Sequence, residues 1–240
     1  MYKNYIFDLY GTLVDIRTNE NKPYLWEKMA EVFGFYGARY EKSELKRAYF
    51  TYCRELESTA RESDEFAEID LDLVFRKLFS DKDVEIDDST LNAVMMFTRA
   101  LSTKFICLYD GVEDFLKALK KKKKHVYLLS NAQRGFTRPE LKLLGIEKYF
   151  NGIFISSEQG VKKPSSKFFN GLMDRYLLKP QDSIMIGNDA SSDIAGAKSV
   201  GMDSLYIHTE ISPECPEPPS DATFTVMDGD FRKIKDLILK

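Results

Sequence analysis

Asn4-Tyr5-Ile6-Phe7-Asp8 is a short, mainly apolar run that ends on a carboxylate, and Leu9-Tyr10-Gly11-Thr12-Leu13-Val14-Asp15 follows it. Such a run reads as a buried β-strand. A lone strand has no stability of its own, so this one must join others. Its candidate partners lie far downstream: Val126-Tyr127-Leu128-Leu129, Ile153-Phe154-Ile155, Ile184-Met185-Ile186 and Leu205-Tyr206-Ile207. Helical patterns at 112–123, 139–144, 166–177 and 193–200 separate them. Alternation of strand and helix, with near-continuous apolar strands, predicts a parallel sheet covered on both faces. Pro213, Pro216, Pro218 and Pro219 predict a surface loop before a last strand at 223–226 and a final helix.

The stretch 18–101 has a different texture. Apolar residues recur at three and four spacing, as in Leu25, Met29, Val32 and Phe33, and again in Leu45, Ala48, Tyr49 and Tyr52. That is the period of helices with one buried face. No glycine follows Gly37 there. The expectation is an α/β fold: a Rossmann-like parallel-sheet core from residues 1–15 and 105–240, carrying an inserted all-α cap domain at 16–104.

Composition narrows the function. Of 240 residues, 43% are hydrophobic, enough to bury a core and to exclude disorder as the default. Lys and Arg number 35 against 38 Asp and Glu, a net charge of −3. That balance offers no global field for nucleic acid or an anionic membrane. No apolar run approaches the roughly 20 residues of a membrane span. The N-terminus is polar and reaches Asp8 early, unlike a signal peptide. Cys53, Cys107 and Cys215 lack metal-ligand spacing and read as reduced thiols. These features predict a cytoplasmic protein with a small-molecule substrate, no nucleic-acid or membrane partner, and an oligomeric state the sequence leaves open.

In open parallel sheets, ligands bind beyond the carboxyl ends of the strands. The residues that follow each predicted strand are Asp8 to Asp15, then Ser130 and Asn131, then Ser156 and Ser157 with Lys162-Lys163-Pro164, then Gly187-Asn188-Asp189 and Asp193. A carboxylate such as Asp8 can attack and hold a covalent intermediate. Asp189 and Asp193 are hard oxygen ligands suited to magnesium. Lys163 can neutralise Asp8 and a transferring group, and Ser130 can hydrogen-bond a phosphoryl oxygen. Gly11-Thr12 allows a tight turn whose amides face an anion. The simpler roles are caps and packing. Asp193 also suits a helix N-cap, Asp15 the entry to the insert, and Asn131 the organisation of backbone. Lys120 to Lys124 closes a helix as solvated cations do. His125 and His208 have no partners at ligand spacing. The insert's aromatics, Trp26, Phe33, Tyr49, Phe50 and Tyr52, read mostly as its core, and Arg54 or Arg61 could face the site.

In these motifs the chain resembles the haloacid dehalogenase superfamily, most of whose members are phosphatases. The resemblance covers about residues 1–15 and 105–210. Asp8-Leu-Tyr-Gly-Thr-Leu-Val-Asp15 is similar to the family's first motif, Leu129-Ser-Asn131 to its second, Lys163-Pro164 to its third, and Gly187-Asn-Asp-Ala-Ser-Ser-Asp193-Ile-Ala-Gly-Ala to its fourth. The resemblance implies that Asp8 is the nucleophile, that Ser130 and Lys163 are catalytic and grip the phosphoryl group, and that Tyr10, Gly11, Thr12 and Asn131 line the substrate. It implies a Mg2+ cofactor held by Asp8, the Tyr10 carbonyl and the fourth motif (Asn188, Asp189 and Asp193), and a mobile helical cap. Two positions depart from the pattern. The phosphatase members carry a second aspartate, a general acid/base, where this chain has Tyr10. The dehalogenase members have tyrosine there and use no metal. Asn188 stands where the family usually has its metal-binding aspartate.

Three functions follow, in order. The first is a magnesium-dependent phosphatase of a small phosphorylated metabolite, working through an aspartyl-phosphate. The second is a metal-independent 2-haloacid dehalogenase, supported by Tyr10 and opposed by the extra carboxylates and the lack of an evident substrate arginine. The third is a weakly catalytic protein that binds a phosphorylated ligand.

Overall fold

The computed structural model describes residues 2–239. Strand β1 (Asn4–Phe7) lies inside a six-stranded, all-parallel sheet. The order is β5 (Gly152–Ile155), β4 (His125–Ser130), β1, β6 (Ser183–Gly187), β7 (Asp203–Ile207) and β8 (Phe224–Val226). The alternation of side chains along β1 sorts the two faces. Tyr5 and Phe7 pack with Phe115 and Leu119 of α5 (Val112–Lys121) and Phe231 and Ile234 of α10 (Phe231–Ile238). Ile6 packs on the other side with Phe168, Phe169 and Leu172 of α8 (Ser166–Tyr176). Burial on both faces is why these strands read as unbroken apolar runs.

Sequential order reverses around β1, which has β4 on one flank and β6 on the other. Phe7 is level with Leu128 and Ile186, so the loops after these three strands leave the sheet side by side. This switch point gathers the site. Beyond β4 comes α6 (Arg134–Leu143), and beyond β5 the single turn α7 (Ser156–Gln159). The expected helix at 139–144 therefore begins a turn and a half earlier, with Pro139 inside it. The expected helix at 193–200 is a π-helical turn, Ala190–Ile194, followed by α9 (Ala195–Ser199).

Four helices, α1 (Pro23–Phe35), α2 (Lys42–Ser63), α3 (Leu71–Ser80) and α4 (Asp88–Ser102), surround a second core built on Leu25, Met29, Phe33, Val74, Phe75, Phe79, Leu91 and Met95. Phe33 and Phe79 stack there at 4.3 Å between ring centroids. The helices are reached through an antiparallel ribbon, β2 (Val14–Thr18) paired with β3 (Thr103–Leu108). The residue pairs 15/16 and 104/105 each fall inside a ribbon strand. Both strands are short and half-exposed, so they lack the apolar signal of the main sheet. Among the described residues no helix is long and apolar enough to cross a membrane.

Candidate active site

Past β1 the chain folds sharply: Thr12, Leu13 and Val14 N–H groups all point to the Leu9 carbonyl, at 3.2, 2.8 and 2.9 Å. Gly11 has φ of +84°, and a Cβ there would stand 2.3 Å from the Asn188 side chain. Both facts require glycine. The turn delivers Thr12, fully buried, between two oxygens: its hydroxyl lies 3.2 Å from Asp8 Oδ2 and 3.1 Å from Asn188 Oδ1. One hydroxyl proton can satisfy only one of them at a time.

Lys163 is buried among carboxylates. Its Nζ donates to Asp8 Oδ1 at 2.6 Å and to Asp193 Oδ1 at 2.7 Å. Burial works against the ammonium, but Asp193 and Asp8 outweigh it and push the Lys163 pKa up. Burial is also the largest influence on Asp193 and pushes its carboxyl up, against the pull of Lys163. Asp193 is locked from both sides, since Oδ2 accepts from Asp189 N at 3.0 Å. A Cβ on Gly187 would fall 2.2 Å from its carboxyl group. The cluster of two carboxylates and one ammonium carries an excess negative charge at the strand ends.

The other expected site residues divide. Ser130 is fully buried and its Oγ has no hydrogen-bond partner, an unusual state for a buried hydroxyl and one that suits a ligand. Asn131 takes the simpler of its two expected roles, organising backbone. Its side-chain amide is spent on the backbone of Lys163, accepting from Lys163 N at 2.8 Å and donating to Lys163 O at 3.1 Å. Asp189 is turned away from the cluster, and its Oδ1 accepts from Ser191 N at 2.8 Å and Ser191 Oγ at 2.7 Å. Asp193 anchors Lys163, with a hydrogen bond on each carboxyl oxygen. Asp15 sits on the ribbon paired with Arg17.

Among the described residues no group of three or more His, Cys, Asp or Glu side chains assembles to hold a metal ion. The donors that remain are Asp8 Oδ2, Asn188 Oδ1 and the Tyr10 carbonyl, which accepts no hydrogen bond among the described residues. These are all hard oxygens, one of them anionic. Magnesium commonly binds one or two carboxylates and keeps several waters, so this set fits it.

Tyr10 is held by the core and faces the insert. Its hydroxyl lies 3.1 Å from Thr137 Oγ1 and donates to Glu140 Oε2, both residues being on α6. Burial, reinforced by the Glu140 charge, raises the phenol pKa well above its ordinary value, so Tyr10 is neutral at any working pH. Glu140 also accepts from Arg99 Nε of α4 at 2.6 Å, and the Arg99 guanidinium lies 5.6 Å from the Tyr10 ring centroid. Arg99 was not legible in the sequence. It flanks the apolar face formed by Leu91, Val94 and Met95, and only docking of α4 on α6 brings it to Tyr10. Arg54 and Arg61 are exposed, and Arg54 bonds its own helix at Thr51.

The insert also grips the loop that carries Lys163. Lys162 N donates to Phe66 O at 2.9 Å and Glu68 N to Gly160 O at 3.0 Å, around an antiparallel bridge of Ala67 with Val161. Gln133 holds the same segment, accepting from Leu71 N and donating to Ile69 O, each at 2.9 Å.

Residues 2–201 match the family model described as haloacid dehalogenase-like hydrolase. The chain belongs to this family of hydrolases. It is 27% identical over 127 residues to a phosphoserine phosphatase of Thermus thermophilus, covering 53% of this chain and 49% of that one. It is 32% identical over 107 residues to a glyceraldehyde 3-phosphate phosphatase of Pyrococcus furiosus, covering 44% and 45%. The match thus spans about half the length of these curated relatives. The fold superposes on that of a HAD phosphatase from Thermococcus onnurineus with a TM-score of 0.61, at 18% identity, over 98% of this chain and 96% of that one.

Proposed function

We propose that the chain is a magnesium-dependent hydrolase of a small phosphomonoester, with Asp8 as the nucleophile and the helical insert at 16–104 as a cap. The observation that carries this reading is the buried cluster of Asp8, Lys163 and Asp193 at the strand ends, with the unpartnered Ser130 hydroxyl on the next strand. Lys163 holds Asp8 Oδ1 and steadies the carboxylate for attack. As its bond to phosphorus forms, the ester P–O bond breaks and its electron pair goes to the leaving oxygen, which takes a proton from water. A second water then attacks phosphorus, giving inorganic phosphate and the free Asp8 carboxylate. Lys163 and the Ser130 hydroxyl stabilise the phosphoryl oxygens throughout. Magnesium, held by Asp8, the Tyr10 carbonyl and Asn188 Oδ1, would offset charge on the transferring group. Tyr10, a neutral phenol bound to Glu140, replaces no carboxylic acid, so leaving groups that need little protonation are favoured. The names of the relatives support a small phosphorylated substrate, and the composition a cytoplasmic setting.

A second reading rests on Arg99. An arginine facing Tyr10 from the insert could take the carboxylate of a 2-haloacid, with Asp8 displacing halide. Its Nε is already bound to Glu140, which weakens that role. The two separate in one assay, phosphate release from a phosphate panel with and without magnesium beside chloride release from 2-chloropropionate. Magnesium-dependent phosphate release supports the first reading, and metal-independent chloride release without it replaces the first by the second.

A further inference from the structure

Between the insert and the strand ends lies a cavity of about 400 Å3. Its floor is Tyr10, two residues past Asp8, with Ala132 and Gln133, just past Ser130 and Asn131. Its walls carry three carboxylates, Glu20, Glu57 and Glu68, none within ion-pair distance of a lysine or arginine among the described residues; Glu68 accepts from Ser156 Oγ at 2.9 Å and from Ile69 N at 3.1 Å. The cation that lines it, Arg99, is already neutralised by Glu140. The walls are also aromatic, with Tyr49 and Phe50 at 5.3 Å between centroids. Tyr49, more than nine-tenths buried, lines the cavity, and its hydroxyl bonds no oxygen or nitrogen among the described residues. Carboxylates without a cationic partner, Glu20 and Glu57 above all, and aromatic faces describe a receptor for a cation.

We propose that this cavity receives the leaving alcohol of the substrate, and that this alcohol carries an ammonium group and no carboxylate: the substrate class is the amino-alcohol phosphomonoesters. The inference rests on the phosphomonoester reading above. It also accounts for Tyr10. An electron-withdrawing ammonium near the ester oxygen stabilises the departing alkoxide, which lessens the need for the acid that this chain lacks. A carboxylate on the alcohol would meet three like charges.

The test compares kcat/KM for 2-aminoethyl phosphate, n-propyl phosphate and 2-phosphoglycolate, with acetyl phosphate and p-nitrophenyl phosphate as activated substrates that need no cavity contact. The ammonium ester should lead the neutral one by at least about tenfold, equivalent to about 1.4 kcal/mol. Glu57→Gln, at an exposed position, should shrink that ratio several-fold. Binding of 2-aminoethyl phosphate and n-propyl phosphate to the Asp8→Asn protein, measured by calorimetry, should show the same order. Equal or better turnover of propyl phosphate or phosphoglycolate overturns the inference and leaves the phosphatase reading standing. Phosphate release from none of the five compounds overturns both.

Discussion

Glu140 joins the sheet domain to the insert, and removing its charge should loosen both. Its side chain is 8% exposed and that of Arg99 16%, with Nε and Oε1 at 2.6 Å. Breaking a buried pair from one side leaves the other charge uncompensated, at about 3–5 kcal/mol. The pair retains slight solvent access, so the lower end, about 3 kcal/mol, is the expected loss for Glu140→Gln. For a chain of this size each kcal/mol shifts Tm by about 2–4 °C, which predicts a fall of about 6–12 °C. Arg99→Leu should cost a similar amount. The double variant Arg99→Leu/Glu140→Gln should cost far less than the sum, because no charge is then stranded. Thermal unfolding followed by circular dichroism reads all of these. Single variants melting within about 1 °C of the unaltered protein, or a double variant whose loss equals the sum, would refute the coupling.

Asp8→Asn should abolish phosphate release without lowering Tm, because it converts two carboxylates around Lys163 into one and makes the buried cluster neutral. A large loss of stability would contradict that account. Asn188→Asp adds a charged oxygen beside Asp8 and should tighten magnesium binding in calorimetric titration, whereas Asp189→Ala should leave it unchanged, since Asp189 is occupied with Ser191. The reverse pattern would move the metal to Asp189. Burial pushes the Glu68 carboxyl above its unfolded value, so the fold favours its protonated form. Its contribution is whole below the unfolded pKa of about 4.3 and is lost as pH rises through the folded value. Glu68→Gln should therefore raise Tm at pH 7 relative to the unaltered protein, with the gain vanishing near pH 3–4. A difference independent of pH would count against it.

The main sheet was legible because strands buried on both faces write themselves as apolar runs, and Asp8 and Ser130 because they stand at the ends of such runs; Lys163, eight residues past β5, was legible through the Lys163-Pro164 motif. The ribbon was not, since half-exposed strands such as Lys104-Phe105-Ile106 carry mixed polarity. The choice between Asn188 and Asp189 was equally hidden. Neighbouring residues at a strand end point in different directions, and only the turn at Gly11 packed against Asn188 decides which one meets Asp8. Arg99 and the bridge of Ala67 to Val161 arise from docking between distant segments, which no local pattern encodes.

The ribbon has a consequence for how such a chain can change. Val14 is paired with Leu108 and Thr18 with Thr103, so the strands that lead into and out of the helices run side by side, about 4.8 Å apart. The helical segment is thus spliced in at a single seam. A different segment closing at the same seam would alter which molecules are admitted while Asp8, Ser130, Lys163 and Asn188 kept their places on the sheet. On the function proposed above, selectivity and bond-breaking would then reside in separate parts of the chain. The clasp between Phe66 and Lys162 is the second junction that any replacement would have to rebuild.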